Sequence, residues 1–137
     1  MAVYASWFDS EHTIIIYEYY GKWTWDELYT ASAVAQELAT DASGTVYSFS
    51  VRRDDVARSH IPSNIITHFA VLTQQLAPKI ALHISVPGGH ETFWKNLSQS
   101  IRAMYPRFAQ HMLVADTQEE ALQMIKEQKA QDAVAGS

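Results

Sequence analysis

The pattern of apolar and polar positions divides the chain into alternating strand-like and helix-like segments. The first two segments, Val3–Phe8 and His12–Tyr20, are rich in the β-branched and aromatic residues that favour strands. Between them, Asp9-Ser10-Glu11 has the composition of a tight turn. The pattern therefore predicts an antiparallel hairpin at the start of the chain.

A helix is predicted to follow the hairpin. Thr24 and Glu27 have the spacing of a capping box, in which two side chains satisfy the first free N–H groups of a helix. Trp23 and Leu28 occupy the positions of a hydrophobic staple. Apolar residues then recur on one helical face, and the helix should end near Thr40, before a turn-forming sequence.

Three further pairs of strand and helix are predicted. The strands are Thr45–Val51, Lys79–Val86 and His111–Ala115. One helix begins at Pro62, and a second begins after the turn Pro87-Gly88-Gly89. A third covers Gln118–Gln128. Arg52–Ile61 shows no periodicity and is predicted to be the longest loop, and Lys129–Ser137 is predicted to be a frayed tail.

Periodicity also predicts which side chains face the core. On the fourth strand, Ile80, Leu82, Ile84 and Val86 share one face, and Ala81, His83 and Ser85 share the other. On the helix that follows, the apolar stripe is Phe93, Leu97, Ile101 and Met104. We expect the helices to pack on the aliphatic face of the fourth strand.

The element order ββαβαβαβα predicts one α/β domain over residues 1–137. Its sheet should be mixed and mostly parallel, with about five strands and with helices mainly on one side. The other sheet face would then expose large side chains of the second strand, either Ile15, Tyr17 and Tyr19 or Ile14, Ile16, Glu18 and Tyr20. Such patches usually mark interfaces, so we expect a homodimer through this face or the hairpin edge. The alternative is a monomer in which the hairpin or the C-terminal segment covers the face.

Composition narrows the classes of function. The 137 residues carry a net charge of −5, and the ten Lys and Arg residues do not cluster, which disfavours nucleic acid as a partner. The chain contains no cysteine, so disulfides and thiol chemistry are excluded. No apolar run is long enough for a membrane span, and the first residues do not resemble a signal peptide, so we expect a cytoplasmic protein.

Candidate chemistry is limited to histidines and carboxylates near strand ends. His60 and His90 lie where open α/β sheets bind ligands, and Asp54 and Asp55 lie in the same predicted loop as His60. A hydrolytic enzyme built on these residues is one hypothesis, and solvated loop residues are the other interpretation. Metal-ligand spacings, phosphate loops and nucleophile motifs do not occur in the sequence, so we expect no cofactor, no metal and no catalytic residue.

Aromatic residues crowd the junction between the second strand and the first helix. They are Tyr17, Tyr19, Tyr20, Trp23 and Trp25. Two interpretations stay open, one in which they stack on a flat ligand or line an interface, and one in which they pack in the core.

Two segments resemble the STAS domain, the fold of anti-sigma factor antagonists of the SpoIIAA type. Residues 17–28, YEYYGKWTWDEL, are similar to the strand-to-helix junction of the SpoIIAA-like branch that is grouped with CRAL-TRIO-like lipid-binding modules. Residues 114–122, VADTQEEAL, are similar to the closing strand and helix of STAS domains. The predicted element order resembles that of the STAS fold over nearly the whole chain.

The resemblance implies a non-catalytic regulatory or protein-interaction module, with a small-molecule or lipid-binding module as the alternative. It also implies a phosphorylatable serine near the start of the second helix. The matching segment, Arg52–Asn64, has no Asp-Ser pair and no glycine, and its serines are Ser59 and Ser63. The candidate surface for a protein partner or small apolar ligand comprises Arg53, Asp54, Ser59, His60, Ser63 and His90.

Overall fold

The fold is known from a computed structural model that describes residues 2–75, 78–104, 106 and 112–135. Its strands are β1 (Ala2–Trp7), β2 (Ile14–Tyr20), β3 (Val46–Arg52), β4 (Ile80–Val86) and β5 (Met112–Val114). Its helices in the described residues are α1 (Trp25–Asp41), α2 (Asp55–Ser59), α3 (Ile65–Gln74), α4 (Glu91–Met104) and α5 (Gln118–Ala135). Two residues of predicted elements lie outside the described residues. They are Leu76, in the apolar stripe of the helix predicted from Pro62, and His111, at the start of the predicted fifth strand.

The strands form one five-stranded mixed sheet in the order β1-β2-β3-β4-β5. β1 and β2 pair antiparallel, and the other neighbours pair parallel. This confirms the α/β fold with a mixed, mostly parallel sheet that the element order predicts.

Helices cover both faces of the sheet, in unequal number. The crossover helices α1, α3 and α4 pack on one face, because consecutive right-handed crossovers between neighbouring strands place their helices on the same side. We call this face the crossover face. Among the described helices, only α5 packs on the opposite face, with Ala121 and Ile125 against Phe49 and Ile84.

The face of β4 that the crossover helices cover is the reverse of the one predicted. His83 and Ser85 lie on the crossover face, in register with Ser48 and Ser50 of β3. The aliphatic residues Leu82, Ile84 and Val86 instead pack under α5. The prediction was wrong because it assigned the helices by apolarity, whereas the hand of the crossovers assigns them.

The hairpin and the first helix begin as their sequences predict. The Asp9 carboxylate accepts hydrogen bonds from the backbone N–H groups of Thr13 and Ile14, which holds the turn. The N-cap Thr24 and Glu27 form the predicted capping box at the start of α1. Trp23 and Leu28 are both buried, in agreement with a staple.

Residues 52–64 differ from the predicted loop. The short helix α2 forms inside this segment, because the Asp54 carboxylate caps it by accepting from the Ala57 N–H. The next helix starts at Ile65 rather than at Pro62, and its N-cap Asn64 is left-handed, with φ of 60°. A capped turn of helix this short leaves no periodic pattern in a sequence.

The buried stripe of α4 also differs in part from the prediction. Leu97 and Ile101 are buried as expected, and Trp94 is buried with them. Phe93 and Met104 are exposed instead. The stripe is centred on Trp94, which the predicted pattern omitted.

The C-terminal segment is helical to Ala135, so α5 continues past Gln128, where the predicted helix ends. Two polar contacts attach this end of α5 to the sheet. The Tyr47 hydroxyl donates to the Asp132 carboxylate at 2.6 Å, and the Lys129 ammonium donates to the Thr13 hydroxyl at 2.7 Å. Both partners are distant in sequence, which is why local composition does not reveal them.

The homodimer prediction rested on an uncovered sheet face, and the described helices cover both faces. α1, α3 and α4 cover the face that carries His83 and Ser85, and α5 covers the opposite face. The hairpin edge remains uncovered, with Tyr4 59% exposed. In the described part of the chain, none of the helices combines the length and apolarity needed to cross a bilayer.

Candidate functional site

The crossover face is polar at its centre, although helices cover it. The two faces of β3 differ. Its side chains towards α5 are Tyr47, Phe49 and Val51, whereas those towards the crossover helices include Ser48 and Ser50. Aliphatic side chains at such positions would fill the space under the helices, and burying a hydroxyl costs free energy unless it is hydrogen-bonded. The polar residues of this face are Tyr17, Tyr19, Ser48, Ser50, Arg52, His83 and Ser85.

His83 is held neutral within this face. Its Nδ1 lies 2.7 Å from the Ser48 hydroxyl, and its ring meets the Tyr17 ring edge-on at 5.4 Å. Burial, and then the positive charge of Arg52, lower the pKa of His83 to about 4. The imidazole is therefore uncharged near pH 7 and serves as a hydrogen-bonding group.

Two tyrosines of β2 supply further polar atoms. Burial raises the pKa of Tyr17 far above its ordinary value and raises the pKa of Tyr19 to about 12. Both phenols therefore keep their protons and remain able to donate hydrogen bonds.

Arg52 is the one residue of the described crossover face whose guanidinium is buried. Its charged carbon lies 4.9 Å from the Tyr19 ring centroid and 4.4 Å from that of Trp94. Burial lowers the pKa of Arg52. Arginine nevertheless keeps its proton in proteins, so this side chain is a buried positive charge between two aromatic rings.

Two adjoining cavities lie between this face and the helices. The first measures about 40 Å³, and its lining includes Tyr17, Tyr19 and His83. The second measures about 30 Å³, and its lining includes Ser85 and Trp94. Phe69 of α3 and Met112 of β5 line both cavities.

The side chains of Arg53 and Asp54, two residues of the predicted surface, bond to neighbouring residues of the chain itself. Arg53 donates to Glu18 at 2.8 Å and to Gln118 of α5 at 3.3 Å. The Asp54 carboxylate accepts from the N–H groups of Ala57 and Gly21. These bonds lower the pKa of Asp54, the bond from Ala57 most strongly, so its structural role is to cap α2 and anchor the turn after β2.

The predicted serines and His60 also make backbone contacts. The Ser59 hydroxyl donates to the carbonyls of Asp55 and Val56 inside α2. The Ser63 carbonyl accepts from the Trp25 indole at 2.8 Å. His60 makes a 3.0 Å hydrogen bond to the Trp23 carbonyl, which locks it against the strand-to-helix junction.

The proposed acid–base pairs do not form among the described contacts. No hydrogen bond in the described residues joins His60 or His90 to Asp54 or Asp55. Asp55 pairs with Arg58, and His90, which is exposed with φ of 56°, accepts through its carbonyl from the first turn of α4. Within the described ranges, no three His, Cys, Asp or Glu side chains are grouped so as to hold a metal ion.

The aromatic residues at the β2–α1 junction divide between the core and the gap between helices. Tyr19 and Trp23 pack edge to face inside the core. The Trp25 ring stacks on His68 of α3 at 4.4 Å. Core packing therefore accounts for the buried members, and Tyr19 also contacts a cavity.

The sequence interpretation missed three residues at or beside the cavities. Phe69 and Trp94 line them, and Arg52, the buried charge, contacts the Trp94 ring. A sequence signal exists for Arg52 alone, since it extends the apolar strand Val46–Val51 by one residue at its carboxyl end. In open α/β sheets, that end is where ligands bind.

Comparisons of this chain with protein-family models, with curated proteins and with solved structures found no match.

Proposed function

We propose that this protein is a non-catalytic binding module that holds a small molecule between the crossover face and helices α1, α3 and α4. The observation that supports this most is the pair of adjoining cavities on a buried sheet face made of serine, tyrosine and histidine. Ligand pockets typically combine an apolar lining with a few placed polar groups. The same combination occurs here.

Ligand entry requires the two cavities to merge. Each of them has room for only about two to four water molecules, because a water needs roughly 10–15 Å³ of such space. Phe69 and Met112 line both, so their displacement joins the two volumes. Methionine has three rotatable bonds and adapts readily to a new shape.

A cavity-filling substitution tests this function. Ser98 of α4 lines the second cavity, and Ser100 on the same helix is exposed. We expect native mass spectrometry of the purified protein to detect a bound small molecule, and Ser98→Leu to reduce its occupancy about tenfold or more. The matched control Ser100→Leu should retain it. Equal occupancy in the two variants would count against the proposal. So would a wild-type protein that carries no bound molecule and binds none of the small molecules offered to it as probes.

A protein-interaction module is the second candidate, and it agrees with the STAS resemblance. Three large aliphatic side chains are exposed near the candidate surface, namely Val56, Ile61 and Ile66. Exposed apolar groups rimmed by polar residues are typical of docking surfaces. A chain with serine at all three positions should lose a partner that the wild type enriches. The control Val34→Ser changes an exposed valine of α1 and should retain it.

Of the two candidate phosphorylation sites, the structure favours Ser63 on physical grounds. Ser63 immediately precedes the N-cap of α3, whose first turn has no acidic residue and whose N-cap makes no side-chain hydrogen bond. A negative charge there would be stabilised by the helix dipole. Ser59 lies at the end of α2, where the same charge is unfavourable. We expect Ser63→Glu to raise the melting temperature and Ser59→Glu to lower it.

The homodimer stays a proposal, now confined to the hairpin edge. β1 is an edge strand, and edge strands pair with other chains unless they are protected. Tyr4 and Phe8 are exposed there. Light scattering at micromolar concentration should give twice the 15.5 kDa chain mass, and Tyr4→Lys should give the chain mass. A monomer mass that does not change with concentration would refute the dimer.

The cytoplasmic location of the protein stays a prediction.

A further inference from the structure

Arg52 is buried without the partners that a guanidinium normally has. Only 6% of its surface is exposed, and its Nε and Nη1 atoms have no hydrogen-bond partner among the described residues. The indole Nε1 of Trp94, whose ring it contacts, is also buried and unpartnered in the same part of the chain. These atoms are all donors, so what the site lacks is an acceptor.

Two carboxylates that are close to Arg52 in the strand register or along the chain pair with other cations. Glu18 binds Arg53, and Asp55 binds Arg58. No described ion pair includes Arg52. An isolated buried charge is costly, and proteins retain such groups where a partner compensates them. Arg52 lies between Tyr19, which lines the first cavity, and Trp94, which lines the second.

We propose that Arg52 binds the carboxylate of a small carboxylic acid whose apolar body occupies the merged cavities. This inference rests on the proposed small-molecule binding function and names its ligand class. The guanidinium fork matches a carboxylate in shape, and its charge-assisted hydrogen bonds are about twice as strong as neutral ones. Phe69, Leu97, Ile101 and Met112 supply apolar lining for the rest of the molecule.

Charge balance favours a ligand that carries a single negative charge. The described lining of the two cavities contains no lysine, arginine, aspartate or glutamate, and Arg52 contacts rings on its border. His83 is neutral near pH 7, so it adds no second positive charge. A phosphate dianion would leave one charge uncompensated, whereas a carboxylate neutralises Arg52. The hydroxyls of the crossover face can donate to its oxygens.

The test compares an acid with its neutral analogue. Phenylacetate and phenylacetamide have nearly the same shape and differ in charge. We expect phenylacetate to raise the melting temperature of the wild-type protein in a concentration-dependent way, and phenylacetamide to bind at least tenfold more weakly. In Arg52→Met, phenylacetate should bind about 10- to 100-fold more weakly, the range that loss of a charge-assisted hydrogen bond produces. The control Arg53→Met removes the neighbouring exposed arginine and should leave binding unchanged.

Stability of the ligand-free variants gives a second readout. Replacing an uncompensated buried charge by an apolar side chain of similar length is neutral or stabilising. Ligand-free Arg52→Met should therefore melt at or above the wild-type temperature. If Arg52→Met unfolds, Arg52→Lys provides the comparison, because it keeps the charge and loses the planar fork; we expect it to bind the acid about tenfold more weakly.

Three results would overturn the inference. Equal binding of acid and amide, or unchanged acid binding in Arg52→Met, would refute the carboxylate contact while leaving the binding function intact. Failure of both probes to bind, together with a lower melting temperature of ligand-free Arg52→Met, would make Arg52 a structural residue. The Ser98→Leu comparison then decides separately whether the cavities bind a small molecule.

Discussion

His83 shows how one residue couples the interior of this protein to pH. Its folded pKa is about 4, whereas a histidine in an unfolded chain has a pKa of about 6.5. Between these values the unfolded chain binds a proton that the folded chain does not bind. The free energy of unfolding must therefore fall as the pH drops through this window.

We expect this loss to amount to as much as about 3 kcal/mol between pH 6.5 and pH 4, since one pKa unit corresponds to about 1.4 kcal/mol. Urea unfolding of the wild type and of His83→Asn across this range measures it. The carboxylates titrate in both proteins, so the difference between the two curves isolates the imidazole. Parallel curves would show that His83 is not the group responsible.

Gly88 is the second residue whose local environment makes a prediction. Its φ is +70°, and a Cβ placed there would lie 2.7 Å from Cδ of Arg58. Gly88→Ala must therefore adopt a disfavoured left-handed conformation and displace the arginine, which should cost about 1–2 kcal/mol. Gly44→Ala is the matched control, because nothing lies within 4 Å of its added methyl group. Equal stabilities in chemical denaturation would contradict this account.

At the scale of elements, α5 is the helix whose extent depends most on distant partners. Its buried contacts, Ala121 and Ile125, lie in its first half. The second half is attached through Asp132 to Tyr47 and through Lys129 to Thr13. Local side-chain pairing adds the bonds from Gln123 to Glu127 and from Gln128 to Asp132.

Tyr47→Phe removes the hydroxyl that donates to Asp132. A hydrogen bond to a charged group contributes about 1.5–3 kcal/mol, so we expect a loss near the lower end of that range and faster amide exchange in residues 129–135. Tyr20→Phe is the control, because the Tyr20 hydroxyl makes only a 3.4 Å contact with Glu18. Unchanged exchange in Tyr47→Phe would show that packing alone holds the helix end.

At the scale of the whole molecule, α5 closes the more apolar face of the sheet. The residues it covers include Phe49, Ile84 and Val86, which are buried in this arrangement. Contiguous apolar surface of this kind drives association when it is exposed. By covering this face, α5 therefore prevents two chains from associating through it.

Ile125→Asp tests the covering role, since Ile125 is 1% exposed and an unpaired carboxylate there opposes docking of the helix. We expect this variant to bind a hydrophobic dye and to gain mass with concentration in sedimentation. Lys126→Asp changes the exposed neighbour and should behave as the wild type does. A variant that stays at the wild-type mass and does not bind the dye would refute this role of α5.

The sequence alone predicted the features that depend on near neighbours. The hairpin turn at Asp9, the capping box of Thr24 and Glu27, and the alternation of strands and helices each rest on contacts within a few residues. The same reasoning placed Asp54 and His60 near strand ends, but could not show that backbone groups already occupy them.

Tertiary structure decided the features that depend on distant parts of the chain. Apolarity could not assign the two faces of β4, because helices cover both and the hand of the crossovers places the helices. Lys129 and Asp132 look like tail residues until Thr13 and Tyr47 are brought beside them. The sequence predicts Arg52 as the first residue of a loop. Only the packing of Tyr19 and Trp94 around it makes it a buried charge, because burial is a property of the assembled layers.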